Sequence, residues 1–178
     1  MNIPNALTIV RILLIPGFVI CLLYDRLFVA LLIFVGAGIT DGLDGLIARV
    51  YRQKTTAGAY LDPIADKLLL STAYVVLAIL GIIPGWLTVI VIARDVIIAL
   101  GILILRVISH RFEVKPLFIS KTTTFCQIVT IAWALLAPQS LFFKSVLPYI
   151  IWATAALTCM SGLQYIYIGT KYLNGKGG

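Results

Sequence analysis

The stretch Phe28-Val-Ala-Leu-Leu-Ile-Phe-Val-Gly-Ala-Gly-Ile-Thr-Asp41-Gly-Leu-Asp44-Gly45-Leu-Ile-Ala48-Arg49 runs from Phe28 to Thr40 without a charge and then ends on two carboxylates. As one helix over 28–47 it would be about 30 Å long, enough to cross the hydrocarbon core of a bilayer. Lipid cannot hydrogen-bond the backbone, and a helix is the structure that satisfies its peptide groups internally. Five further apolar runs of similar length lie outward from it, at 7–24, 62–83, 86–108, 120–138 and 147–169. Breakers mark several connections: Gly58 before the third run, Pro84 and Gly85 before the fourth, Pro116 before the fifth and Pro138 after it. Hydrophobic residues make up 61% of the 178 and charged residues 12%, too apolar a balance for so small a soluble globule, most of whose surface must stay wet. The expected fold is all-α, an integral membrane bundle of six transmembrane helices. With no repeat or linker, 1–178 reads as a single domain.

Basic residues set the expected orientation, because Lys and Arg collect in cytoplasmic loops. Arg49, Arg52 and Lys54 follow the second span; Arg106, Arg111, Lys115 and Lys121 surround the fourth-to-fifth connection; Lys171 and Lys176 end the chain, and Arg26 and Lys144 fall opposite. An even number of spans then puts both termini in the cytoplasm. The net charge of +7 follows from topology and from attraction to anionic headgroups, so no nucleic-acid partner is implied. Arg11 and the lack of a small-residue cleavage site after Leu22 make the first segment a retained helix rather than a signal peptide. Cys21, Cys126 and Cys159 lie in apolar runs without metal-ligand spacing and read as small buried hydrophobes.

Four of the seven acidic residues fall at one depth. Asp41 and Asp44 are three apart at the end of the second span, and Asp62 and Asp66 four apart at the start of the third, so each pair shares a helix face. Two carboxylates about 5 Å apart repel by roughly 3 kcal/mol at an effective dielectric of about 20. Protons or cations must offset that. Hard divalent ions prefer oxygen ligands, and two of them together suit phosphoryl chemistry. Gly42, Gly45 and Gly58 leave room for a pyrophosphate, and Arg49 can fork onto its oxygens. The plainer reading is helix capping or surface ion pairing with Arg49, Arg52 and Lys67. Asp62 before Pro63 does resemble an N-cap followed by proline, but capping accounts for Asp62 alone.

The spacing D-x2-D-G-x2-A-R-x8-G-x3-D-x3-D, carried by Asp41, Asp44, Gly45, Ala48, Arg49, Gly58, Asp62 and Asp66, resembles the signature of the CDP-alcohol phosphotransferases. The resemblance implies a six-helix membrane enzyme, usually a homodimer, with Mg²⁺ or Mn²⁺, two ions, held by Asp41, Asp44, Asp62 and Asp66. It implies a CDP pocket formed by Asp41, Gly45, Ala48, Arg49, Gly58 and Asp62. Asp66 would be the base that deprotonates the acceptor hydroxyl, CDP-diacylglycerol the donor, and CMP the leaving group. The membrane implied is the bacterial or mitochondrial inner one, with the site on its cytoplasmic or matrix face.

Within the family, Asn2-Ile3-Pro4-Asn5-Ala-Leu7-Thr8 with Arg11 is similar to both phosphatidylglycerophosphate synthases and eukaryotic-type cardiolipin synthases. Ile92-Ala-Arg94-Asp95-Val96 and Lys115-Pro116-Leu-Phe-Ile-Ser120-Lys121 lean toward phosphatidylglycerol as acceptor, and Ser161-Gly162 toward glycerol 3-phosphate. Either acceptor carries a phosphate, an anionic group that calls for cations; Arg94, Lys121 and Arg11 are the candidates. Arg94 otherwise reads as a structural partner of Asp95 or of an aspartate of the cluster; adjacent residues do not face one another on a helix, so a pair with Asp95 needs a bent side chain or another helix. Arg11 could snorkel to the headgroups and Lys121 could anchor there. His110 reads as solvated, and Trp86, Trp152 and the tyrosines as anchors or packing. Two rivals are a membrane prenyltransferase, whose acidic motifs would lie far apart in sequence, and a divalent-cation transporter or sensor, whose site would lie near midplane.

Overall fold

The computed structural model describes the backbone of residues 3–50, 56–108 and 118–173, and the side chains of 9–40, 64–104 and 118–171. The described residues form six α-helices and no strand: α1 Ile3–Leu23, α2 Leu27–Val50, α3 Thr56–Ile79, α4 Gly85–Ile108, α5 Phe118–Leu136 and α6 Leu141–Leu173. A 3-10 turn at Ala137–Gln139 joins α5 to α6, with Pro138 inside it. Short turns fold α1 on α2, α3 on α4 and α5 on α6. Two of them use a left-handed residue: Asp25 at φ 57° and Gly81 at φ 71°. Around these, Arg26 N–H donates to the Cys21 carbonyl at 2.8 Å and Ile82 N–H to that of Leu77 at 3.0 Å, which satisfies carbonyls the helix ends would otherwise orphan.

Among the described residues three helical segments are long and apolar enough to cross a membrane: Gly85–Ile104, Phe118–Gln139 and Leu141–Lys171; Ile9–Leu23 and Leu27–Thr40 are shorter apolar stretches. One buried cluster joins the helices, including Phe18 and Leu22 of α1, Phe34 of α2, Tyr74 and Leu77 of α3, Leu87 of α4, Ile131 of α5 and Ile151 of α6. The exterior is apolar as well, with Leu13, Phe28, Val89, Phe125 and Trp152 all exposed. Polar groups are instead inside. Thr130 Oγ1 meets Thr154 Oγ1 at 2.8 Å, the Tyr74 hydroxyl donates to the Gln127 carbonyl, and Thr88 donates to that of Tyr74. An apolar outside around hydrogen-bonded hydroxyls is the arrangement that suits helices packing in lipid.

Three sequence expectations change. The third helix begins at Thr56, so Gly58 lies in its first turn and Asp62-Pro63 in its interior; Asp62 is not its N-cap. The sixth begins at Leu141 rather than 147 and continues through Pro148, as α1 does through Pro16. A proline forfeits one backbone bond, which neighbouring turns and helices in a membrane bundle compensate, so it need not end a helix there. The cysteines are free, but Cys159 is exposed on α6 and only Cys21 and Cys126 are partly buried. A weakly polar thiol has no need of the core when the exterior is itself apolar.

Candidate active site

Asp41 and Asp44 stand near the C-terminal end of α2, with Gly45, Ala48 and Arg49 in its last two turns. Gly58, Asp62 and Asp66 lie along the first half of α3. The motif thus occupies two helices, both of which pack on α1. The side chains of Asp41, Asp44, Ala48, Arg49 and Asp62 lie outside the described residues, as do Arg52, Lys54, His110, Arg111 and Lys115. Among the described residues no three potential metal ligands cluster.

Asp66 is described, and its surroundings are specific. Arg11 Nη1 of α1 donates to its Oδ1 at 2.6 Å. The Asp66 side chain is 40% exposed and that of Arg11 only 1%. The buried guanidinium therefore fixes a carboxylate that is itself partly exposed. Arg11 does not snorkel to headgroups. It sits in the bundle because a carboxylate is there to receive it.

One residue further on, Lys67 starts a second chain of contacts. Its Nζ donates to Asp95 Oδ2 at 2.6 Å, and Asp95 Oδ1 accepts from Arg94 Nη1 at 2.7 Å. Arg94 also donates from Nη2 to Ser120 Oγ at 2.6 Å and to Ser161 Oγ at 2.9 Å, and from Nε to Ser161 Oγ at 3.2 Å. Residues from α3, α4, α5 and α6 are thus tied at one level. Arg94 thus makes the structural pair with Asp95 that was the alternative to a substrate role for it, and it takes the bending that adjacent helical positions require. The long guanidinium curls back, and Lys67 holds the Asp95 carboxylate in the gap between helices where it can be reached. Arg94 is 4% exposed and engaged by the protein, while Lys121, in the first turn of α5, is exposed.

The sequence reading passed over Lys67, Ser120, Asp95 and Ser161 as a unit. The available signal was that two charges inside an apolar run, Arg94 and Asp95, both require partners. At the other end of the bundle a groove of about 980 Å³ is lined by Pro84, Trp86, Gln139, Lys144 and Trp152 among others. It is remote in the fold from the aspartates. Trp86 and Trp152 there meet with ring centroids 5.1 Å apart and planes tilted by 38°.

Residues 1–160 match the CDP-alcohol phosphatidyltransferase family, and the chain belongs to that family. Relatives of two kinds are similar to it. It is 37% identical to the cardiolipin synthase (CMP-forming) of Rattus norvegicus over 96% of this chain and 62% of the relative. It is 35% identical to the probable phosphatidylglycerophosphate synthase of Mycobacterium tuberculosis H37Rv, covering 98% of this chain and 84% of the relative. It is 36% identical to the CDP-diacylglycerol–glycerol-3-phosphate 3-phosphatidyltransferase of Escherichia coli K12, covering 93% of each. The chain spans 62% of the length of the rat and human cardiolipin synthases it matches. Family membership leaves the prenyltransferase and cation-transporter readings without support.

Proposed function

We propose that this chain transfers a phosphatidyl group from CDP-diacylglycerol to a phosphate-bearing alcohol and releases CMP, with phosphatidylglycerol as the acceptor. The observation that carries the chemistry is Asp66: a carboxylate on the motif's second helix, held by a buried guanidinium and 40% exposed. In this reading Asp66 takes the proton of the acceptor hydroxyl, the oxygen attacks the phosphorus bearing diacylglycerol, and the bond from that phosphorus to CMP breaks. Asp41, Gly45, Ala48, Arg49, Gly58 and Asp62 form the cytidine diphosphate pocket in this reading.

The donor set fits hard cations, because four carboxylates from two helices supply oxygens and little else. Asp41, Asp44, Asp62 and Asp66 would hold Mg²⁺ or Mn²⁺, two ions, which when bound offset the repulsion among the carboxylates and stabilise charge on the departing phosphate. We further read all six helices as spans of one domain, 1–178, with both termini and the motif on the cytoplasmic or matrix side of an inner membrane, and the protein as a homodimer. The basic residues around the motif end support that orientation. A cytidine headgroup can then enter from water while the acyl chains stay in lipid.

A second acceptor, glycerol 3-phosphate, is favoured by the Ser161-Gly162 pair and by the Mycobacterium and Escherichia relatives. One incubation separates the two: labelled CDP-diacylglycerol with Mn²⁺ or Mg²⁺ and either phosphatidylglycerol, glycerol 3-phosphate, serine or inositol, with the products separated by chromatography. Cardiolipin formed only with phosphatidylglycerol supports the first acceptor, and exclusive use of glycerol 3-phosphate refutes it. No CMP release with any acceptor would overturn phosphatidyl transfer itself.

A further inference from the structure

A phosphate-bearing acceptor needs a cation beside Asp66, and two of the three expected candidates are not presented to a ligand. Arg11 is 1% exposed and bound to Asp66. Arg94 is 4% exposed and donates four hydrogen bonds to Asp95, Ser120 and Ser161. The remaining exposed cations described near that end are Lys67, Lys121 and Lys171. Of these, Lys67 alone is tethered among the described residues and follows Asp66 directly in α3.

Its setting is that of a held but accessible ammonium. The side chain is 42% exposed, against 14% for Asp95 and 5% for Arg94, so the chain of charges runs from the bundle interior outward and ends on Lys67. An ammonium has three N–H donors, and the contact with Asp95 uses one. The three charges sum to +1. Arg94 and Asp95 cancel, and the surplus positive charge is that of Lys67. Arg94 is anchored on α5 and α6 through the two serines, so Asp95 is held in turn and the ammonium is ordered before any ligand arrives. That preorganisation lowers the entropy cost of binding.

We propose that Lys67 grips the phosphate of the acceptor alcohol, and that Asp95 and Arg94 are positioning residues holding its ammonium on the turn of α3 that carries Asp66. This rests on the phosphatidyl-transfer reading above. The test uses the full chain in detergent or liposomes with Mn²⁺, measuring kcat and KM for acceptor and for CDP-diacylglycerol separately. Lys67→Met is expected to raise the acceptor KM about 10- to 100-fold, the range of one hydrogen bond to a charged group, and to leave the CDP-diacylglycerol KM within about twofold. Lys67→Arg should recover most of the loss, and Asp95→Asn should raise the acceptor KM in the same direction by less. Inorganic phosphate should compete with the acceptor in the wild type and not in Lys67→Met. If Lys67→Met does not fold, Lys67→Gln and Lys67→Arg carry the comparison, with the charge-free variant expected to show the larger acceptor KM. An unchanged acceptor KM, or equal changes for both substrates, in a wild type that turns over would overturn the assignment of Lys67 alone. A wild type that releases no CMP with either acceptor would overturn the reaction, and this assignment with it.

Discussion

Arg11 of α1 holds Asp66 of α3 through a 2.6 Å contact while itself 1% exposed, so the proposed base is oriented by a residue 55 positions earlier in the chain. Arg11→Leu removes the buried partner of a half-exposed carboxylate. Full loss of one member of a buried pair costs about 3–5 kcal/mol; with Asp66 open to solvent, about 2 kcal/mol is expected. Thermal unfolding in detergent measures this. Turnover should fall at least about tenfold as the carboxylate loses its fixed position, and Arg11→Lys should restore part of both.

Asp66→Asn keeps an oxygen able to accept from Arg11 but cannot take a proton. CMP release from CDP-diacylglycerol should fall by about 10²–10⁴-fold, the usual contribution of general acid–base catalysis, while much of the Mn²⁺ binding seen by calorimetry remains. Wild-type turnover in the purified variant would remove Asp66 as the base. Chelating the divalent ion should stop turnover in both proteins, and adding Mn²⁺ should restore it in the wild type.

Arg94→Met leaves Asp95 in the bundle with Lys67 as its one partner among the described residues. A loss of about 3 kcal/mol is expected from breaking a buried charged pair. The double change Arg94→Met with Asp95→Asn should be more stable than Arg94→Met alone, because it also removes the stranded charge. If the two effects add without interaction in a double-mutant cycle, the pair is not coupled.

Gly162 tests how closely α6 approaches that pair. A methyl group built there would lie 3.7 Å from Arg94 Cγ and 3.9 Å from Arg94 Cβ, which is ordinary contact. Gly162→Ala should therefore be neutral or gain up to about 1 kcal/mol from better helix propensity. Gly162→Leu has no such room and should push Arg94 off Ser161, costing roughly 1–3 kcal/mol as overpacking does. Urea or heat unfolding of the two variants compares them directly.

The helices were legible wherever apolar length alone defines them, as in α4, expected over 86–108 and found at Gly85–Ile108. They were misread where proline was taken as a stop. Asp62-Pro63 has the local look of a helix start, but α3 already runs from Thr56, since a membrane bundle can absorb the missing bond that would end a helix in water. The four aspartates stood out because charge is costly in an apolar chain. Their partners did not. The reach of Arg11 to Asp66, or of Arg94 to Ser120 and Ser161, depends on which helices become neighbours, and no single helix carries that information. The Arg94–Asp95 contact failed the adjacent-residue rule for the same reason, because Lys67 on another helix draws the carboxylate aside.

The Arg94 clamp has a consequence for anyone recombining this protein with its relatives. Positions 67, 94, 95, 120 and 161 lie on four helices and meet in one hydrogen-bonded knot. A chimera that exchanges a single helix keeps the knot only where the incoming helix carries the same residue at its position, and otherwise leaves a buried charge unanswered. Crossover points are therefore not tolerated between Lys67 and Ser161, a stretch that is transplanted only as one block.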